Sequence, residues 1–220
     1  MRKFLLGLCA FGVGCGGSGE PVDLTGNLYA MDYSDAEMDA DFDLGTALTS
    51  LGGGVALIGV SSVSEDSISM HATRAVENSD PYSQDFCGMT VPLPESSLDG
   101  DTFSFGPETV EWKMYEDSNA VFDDVASSGV VNEDGTLITD ISMSFGFDLR
   151  LSLESFGLED VEDMCNITEA LGLNCIPCAD GIVGCIAAEA TNLTANMLPT
   201  PFEVVDTPYA HPECTLTGDD

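Results

Sequence analysis

Apolar and polar side chains alternate strictly in several short stretches of this chain. In ISMSFGFDLR (141–150), one set of alternate positions is apolar: Ile141, Met143, Phe145, Phe147 and Leu149. Successive side chains of a β-strand point to opposite faces, so this pattern predicts a strand with one face in the core and the other in water. The same period occurs in SISMHATRAV (67–76) and TVEWKMY (109–115).

Turn signals separate these stretches. NEDG (132–135) lies between SGVV and TLITD and predicts a β-hairpin, and GVALIGV (54–60) follows two further glycines and predicts a more buried strand. Helical periodicity is nearly absent before residue 150. The predicted fold is therefore mainly β, an antiparallel sandwich or barrel with one short helix and a C-terminal segment stapled by disulfides.

The helical pattern covers residues 158–171, LEDVEDMCNITEAL, where Leu158, Val161, Cys165 and Leu171 keep roughly helical spacing. Acidic residues occupy its first turns, which suits the helix dipole, and Gly172 is expected to end it. Further on, CIAAEATNLTANML (185–198) fits either a strand or a second short helix.

DAEMDADFDLG places Asp39, Asp41 and Asp43 at every second position, which resembles the start of a calcium loop. An EF-hand loop counted from Asp39 needs Gly at its sixth position and Glu at its twelfth, and these positions hold Leu44 and Ser50. The stretch therefore predicts a strand with an acidic, solvated face. Loosely bound calcium at these aspartates is the remaining alternative, and no other cofactor is predicted.

Six cysteines lie beyond the N-terminal region, an even number that predicts three disulfides in a chain that is exported, as the N-terminal residues below indicate: Cys87, Cys165, Cys175, Cys178, Cys185 and Cys214. We expect Cys165 to tie the helix to the C-terminal cysteine cluster. A Cys178–Cys185 bridge across the Asp180–Gly181 turn is the one specific pairing suggested. The CIPC spacing also occurs in zinc and redox sites. Structural disulfides are favoured over both, because a zinc site would need reduced thiolates and a redox site would need a helix after the motif.

The first twenty residues, MRKFLLGLCAFGVGCGGSGE, combine two cations, an apolar run of about ten residues and small residues around a cysteine. This layout resembles a bacterial lipoprotein signal peptide. The resemblance implies cleavage before Cys15, lipidation of Cys15 and, because Gly16 rather than Asp follows, an outer-membrane or cell-surface location. One position departs from this family's pattern: three residues before the cysteine, where Leu is usual, this chain has Gly12. Without lipidation, the expected product is periplasmic or secreted.

Four segments follow from these patterns: a signal peptide at 1–14, a lipid-anchored flexible tether at 15–26, an antiparallel β domain at 27–150 and a disulfide-rich helical and strand segment at 151–220 packed on the same domain. Residues 125–190, with the hairpin DGTLITD, the strand ending DLR and CxxCxDGxxxC, are also similar to uncharacterised lipoproteins of Gram-negative bacteria. That resemblance implies no activity.

The charge balance restricts the partners. With 39 acidic and 5 basic residues the net charge is -34, which repels phosphate backbones and excludes nucleic acid as a partner. Three kinds of partner fit this charge balance. They are cations, a small apolar ligand in a site lined by Met, Phe and Trp112, and the membrane itself, reached through the lipid. The two histidines, His71 and His211, are too few for the helical zinc-hydrolase motif and are expected to be ordinary surface residues.

The function expected from these features is a membrane-anchored extracytoplasmic lipoprotein that binds or displays rather than catalyses. One alternative is a secreted, carbohydrate-active hydrolase that uses paired carboxylates, although among 39 acidic residues such a pair occurs by chance. The other is a purely structural surface protein. No catalytic residue is predicted.

Overall fold

The computed structural model of the 220-residue chain describes residues 22–38, 55–76, 79–113, 120–153, 157–170, 172–178 and 180–214. The predicted signal peptide, the predicted lipidation site Cys15 and the calcium candidates Asp39, Asp41 and Asp43 lie outside these described residues. Of the stretch 35–45 only residues 35–38 are described, and within them Glu37–Met38 form a two-residue strand.

Strands dominate the described residues. They are β1 (Leu28–Asp32), β2 (Glu37–Met38), β3 (Ala56–Val63), β4 (Ser67–Arg74), β5 (Val91–Pro92), β6 (Ser96–Asp99), β7 (Thr102–Trp112), β8 (Ala120–Val131), β9 (Leu137–Asp148), β10 (Ile176–Pro177) and β11 (Val183–Met197). A 3-10 helix, Leu149–Ser152, follows β9, and an α-helix, α1, spans Val161–Ala170.

Eight strands close into an antiparallel barrel. Their order is β1-β3-β4-β6-β7-β8-β9-β11, and β11 pairs again with β1, with Tyr29 opposite Met197. The predicted mainly-β antiparallel fold is confirmed, and of the two predicted architectures it is the barrel. The stretch 185–198, for which strand and helix were both open, belongs to β11 except for its last residue and completes the ring between β9 and β1.

The interior of the barrel is filled by apolar side chains. Ile68 and Met70 of β4 point inward, as their alternation predicts, and meet Ile138 and Ile141 of β9. Tyr29 is fully buried among them. These residues form one continuous cluster, so the hydrophobic free energy of folding comes mainly from inside the ring of strands.

Three β-bulges bend the strands that close the barrel. Asp124 in β8, Asp140 in β9 and Asn192 in β11 each have a positive φ, between 50° and 57°, and each lies where the register of its ladder shifts. Asp and Asn tolerate this left-handed conformation better than most residues. Bulges increase local twist and curvature, which a closed barrel requires.

The barrel has two distinct ends. We call the one with the β8–β9 turn, residues 132–136, the turn end. There the hydroxyl of Tyr29 donates to the carbonyl oxygen of Gly135 over 2.7 Å, and Leu24 and Val22 pack beside Gly135. We call the other the cap end, because the 3-10 helix, α1 and two disulfides lie there. Along β9, the two ends are roughly 36 Å apart.

The C-terminal segment 198–214 covers the outer face of β1, β3 and β4. Phe202 packs directly on Gly59, with its ring centroid 5.6 Å from that of His71. The expectation that His71 is an ordinary surface residue is therefore wrong, because this segment shields the polar side of β4. His211 is also covered, with 18% of its side chain exposed and its ring stacked on Phe86.

The predicted helix is confirmed as α1 (Val161–Ala170), which begins three residues after the predicted start at Leu158. Gly172, with φ 90°, follows its end, and the N–H groups of Gly172 and Leu173 donate to the carbonyl oxygens of Glu169 and Thr168. Glycine adopts this conformation without strain, so it satisfies the last turn of the helix. The inner face of α1 carries the buried Met164 and Cys165.

Candidate binding groove

Three disulfides join the six cysteines: Cys87–Cys214, Cys165–Cys175 and Cys178–Cys185. The suggested Cys178–Cys185 pairing is confirmed, and Cys165 does tie the helix to the cysteine cluster. The two cysteines of the CIPC spacing bond to different partners, which leaves no free thiolate there for zinc or for redox exchange. Disulfides persist in oxidising compartments, so the three bridges indicate an oxidising extracytoplasmic environment.

Arg150 holds the cap end together. Its guanidinium donates to both carboxylate oxygens of Asp148, over 2.8 and 2.6 Å, and to Asp180 over 2.7 Å. These hydrogen bonds from Arg150 hold the pKa of Asp148 below its usual value. The pKa of Asp180 is lowered first by the backbone N–H of Ile182 and then by Arg150. The ion pairs join the end of β9 to the turn between Cys178 and Cys185.

One group of described residues has the spacing of metal ligands: Asp148, Cys178 and Cys185. The two sulfurs are bonded to each other, and Asp148 already accepts from Arg150. Neither thiolate nor free carboxylate is left to bind an ion, so this group is structural.

A groove of about 630 Å³ lies beside this cap, on the outer surface of β8, β9 and β11. Its floor is low because the outward-facing residues there are small: Ser144, Gly146 and Ala187. The segment 172–178, which includes β10, forms one wall with Leu173, Ile176 and Pro177. The groove thus lies where short side chains on the barrel adjoin the larger side chains of this segment.

Three carboxylates form an acidic rim. Asp123 and Asp124 come from the bulge in β8, across β9 and β11 from the wall, and Glu189 comes from β11. Asp123 is oriented by the hydroxyl of Thr109, which donates to it over 3.0 Å. Of the sixteen described residues that line the groove, none is Lys, Arg or His. The groove therefore combines negative charge with apolar surface, which suits a ligand that carries positive charge on an apolar body.

Sequence patterns did not single out this groove. The CxxC spacing marked the loop that forms its wall, but Asp123 and Asp124 resemble the other surface acids of this chain. The signal that identifies them is the bulge, which has no simple local pattern. The calcium candidates Asp39, Asp41 and Asp43 and the lipidation candidate Cys15 lie in the part of the chain that is not described.

Several of the aromatic side chains expected to line an apolar ligand site contact one another. Phe122 lies at the centre, 5.5 Å from Phe145, 5.1 Å from Phe147 and 6.1 Å from Trp112 between ring centroids. Such edge and tilted contacts stabilise a core beyond the area they bury. This cluster packs the barrel interior near the cap end.

Comparison with known proteins indicates no function for this chain. The chain matches no known protein family, and neither curated proteins nor solved structures show significant similarity to it. Among its described residues, no helix has both the length and the apolar character needed to cross a bilayer.

Proposed function

We propose that the protein is an exported lipoprotein, attached to a membrane through Cys15, whose barrel presents the groove as a non-enzymatic binding surface. The observation that carries this proposal is the placement of the chain's N-terminal side and the groove at opposite ends of the barrel. The described chain leads in at the turn end, where Val22 and Leu24 pack against Gly135. The groove lies beside the cap, at the other end of β9.

This arrangement suits a surface module. A tether that reaches the barrel at the turn end would hold the groove away from the lipid by the length of the barrel. The net charge of -34 would favour the same orientation, because anionic headgroups repel an acidic body. The groove would then face outward and remain accessible to a partner.

Two features of the groove support binding: its described lining residues offer no serine–base pair, and its surroundings are rigid. Its titratable side chains are carboxylates, and it contains one hydroxyl, that of Ser144, without a histidine beside it. A nucleophilic serine needs such a base within hydrogen-bond reach. The cap around the groove is also fixed by two disulfides and the Arg150 ion pairs, and a preorganised surface loses little entropy on binding.

Mass spectrometry of the intact protein, purified from its own membrane, tests the proposal. The expected mass lacks residues 1–14, carries acyl chains on Cys15 and is six hydrogens lighter than the reduced chain. The same measurement under native conditions reports bound calcium and any co-purified ligand. An unmodified Cys15 in membrane-purified protein would contradict the anchoring.

Cys15→Ser is the matched variant for localisation. It removes the lipid acceptor and leaves the apolar run and the barrel unchanged, so the variant is expected in the soluble exported fraction. A Cys15→Ser protein that stays with the membrane would show that something other than the acyl chains holds it there.

A further inference from the structure

We infer that the occupant of the groove is a short, extended peptide segment of another protein that carries several lysines or arginines between apolar residues. This inference rests on the proposed binding function and names the partner of the same groove.

Charge complementarity determines the sign of the partner. Asp123 and Asp124 on β8 and Glu189 on β11 contribute three carboxylates to the groove, and the lining residues contribute no cation. Asp124 and Glu189 are exposed, so their charges remain in water until a ligand covers them. At about 0.15 M salt the Debye length is about 8 Å, so these three carboxylates attract a bound cation much more than distant acids do.

The apolar wall of the groove determines what else the partner must carry. Ile176 is 40% exposed there and lies beside Pro177 and Leu173. An apolar side chain of the ligand gains free energy by covering this surface, whereas a hydrated inorganic cation gains nothing from it. The partner therefore carries both cationic and apolar groups, as an extended peptide with alternating side chains does.

The exposure of the groove favours a peptide segment over a free small molecule. Its volume, about 630 Å³, is within the usual range for ligand pockets, about 300–1,000 Å³. However, it lies on the outer face of the barrel rather than inside it. Small ligands are usually about 70–90% buried. A segment of a larger protein can remain partly exposed and still gain affinity from residues outside the groove.

The test uses the oxidised full chain and a monomeric nonapeptide in which lysines alternate with alanine and leucine. Isothermal titration at about 0.15 M salt is expected to show saturable 1:1 binding. The same peptide with glutamate in place of lysine is expected not to bind. Absence of saturable binding by the lysine peptide would overturn the inference.

Two triple variants separate the groove from net charge. Asp123→Asn, Asp124→Asn and Glu189→Gln neutralise the rim, and Asp99→Asn, Asp101→Asn and Glu133→Gln neutralise three exposed acids at turns near the other end of the barrel. We expect the rim variant to bind the peptide about tenfold more weakly and the distant variant to bind within about twofold of wild type. An equal loss in both would assign binding to overall charge and overturn the inference.

A second pair of variants leaves the charge unchanged. Ala187→Trp fills the floor of the groove, and Asn196→Trp places the same side chain on an exposed position farther along β11. Ala187→Trp is expected to lose about tenfold in peptide affinity, and Asn196→Trp is expected to bind as wild type. Unimpaired binding by Ala187→Trp would overturn the inference even if both triple variants failed to fold.

Spermine distinguishes a small polycation from a peptide. If spermine alone bound with the same dependence on Ala187 while the peptide did not bind, the inference would be overturned in favour of a free polyamine. Failure of the proposed anchoring is a separate result, since it appears as a missing acyl mass on Cys15. Lack of peptide binding by a fully acylated protein would leave the anchoring intact and reject only this partner.

Discussion

The side-chain amide of Gln84 pairs with the backbone of Glu203 as a neighbouring strand would. Its nitrogen donates to the carbonyl oxygen of Glu203 over 2.7 Å, and its oxygen accepts from the N–H of Glu203 over 3.1 Å. Gln84 is 2% exposed. One side chain thus satisfies two backbone groups of the C-terminal segment, which has no strand beside it at this position among the described pairings.

Replacing Gln84 should loosen the C-terminal segment. Gln84→Ala leaves the N–H and carbonyl of Glu203 unpaired and is expected to lower the free energy of unfolding by about 1–3 kcal/mol, measured by urea denaturation at pH 7. Gln84→Glu keeps the accepting oxygen but turns a carboxylate toward the Glu203 carbonyl, so it should also be destabilised at pH 7.

The two variants should respond differently to acid. In Gln84→Glu, burial raises the folded-state pKa of the new carboxyl group, and once protonated this group regains a donor for the Glu203 carbonyl. The free energy of unfolding of Gln84→Glu should therefore approach that of wild type as the pH falls through that pKa, and that of Gln84→Ala should not. An identical pH response of the two variants would contradict this pairing.

Gly59 is required by the position of Phe202. A Cβ atom at residue 59 would overlap the Phe202 ring, which is itself 7% exposed. Gly59→Ala is expected to cost about 1–3 kcal/mol in unfolding free energy, because the ring must move out of its site. In a Phe202→Ala background the same substitution should cost far less. A double-mutant cycle without coupling would show that the two residues do not meet.

The disulfides should contribute unequally to the free energy of unfolding. Cys87–Cys214 closes a loop of 127 residues and Cys178–Cys185 a loop of 7. In the chain-entropy description the long loop stabilises by about 5 kcal/mol and the short one by about 2 kcal/mol. Cys87→Ala with Cys214→Ala should therefore lower the urea midpoint more than Cys178→Ala with Cys185→Ala, and limited proteolysis should release the segment 198–214 first. Equal losses would contradict the entropic account.

Arg150 should stabilise the fold in a pH-dependent way. The pKa of Asp148 is depressed in the folded state by hydrogen bonds from Arg150. A depressed carboxyl pKa contributes stability that is present above the unfolded value, about 3.9, and is lost as pH falls through the folded value. Arg150→Gln should therefore be less stable than wild type near neutral pH, and the difference should shrink below about pH 4.

Lys113→Gln is the charge-matched control for Arg150→Gln, since Lys113 is exposed. It removes the same formal charge without touching the cap. Thermal denaturation of both variants from pH 3 to pH 7 should separate them most at neutral pH. Coincident curves would show that Arg150 acts only through net charge.

Asn192 should prefer glycine to alanine as a replacement. Its φ of 57° lies in the left-handed region, where a Cβ costs roughly 1–2 kcal/mol. Asn192→Gly should be nearly neutral in urea denaturation, and Asn192→Ala should be destabilised. At Asn196, in the same strand but without a positive φ, the order should reverse because glycine weakens a regular strand. The same order at both positions would refute the bulge.

Much of the local structure was predictable from residue patterns. Apolar residues at every second position, such as Ile68 and Met70 in β4 and Ile141 and Phe145 in β9, identified these strands. A pleated backbone turns every second side chain to the same face. The turn at Gly135, the helix that ends before Gly172 and the short-range Cys178–Cys185 bridge are likewise encoded within about a dozen residues.

The closure of the barrel, the Cys87–Cys214 bridge and the groove were not predictable in this way. Each depends on residues far apart in the chain: β1 meets β11, Cys87 meets a cysteine 127 residues away, and Asp123 faces the loop 172–178. Local preferences restrict backbone dihedrals, but they carry no information about which distant strand supplies a hydrogen-bonding partner. That choice is made by the packing of the whole ring, which also decides that Phe202 covers His71 and that small side chains leave a groove beside the cap.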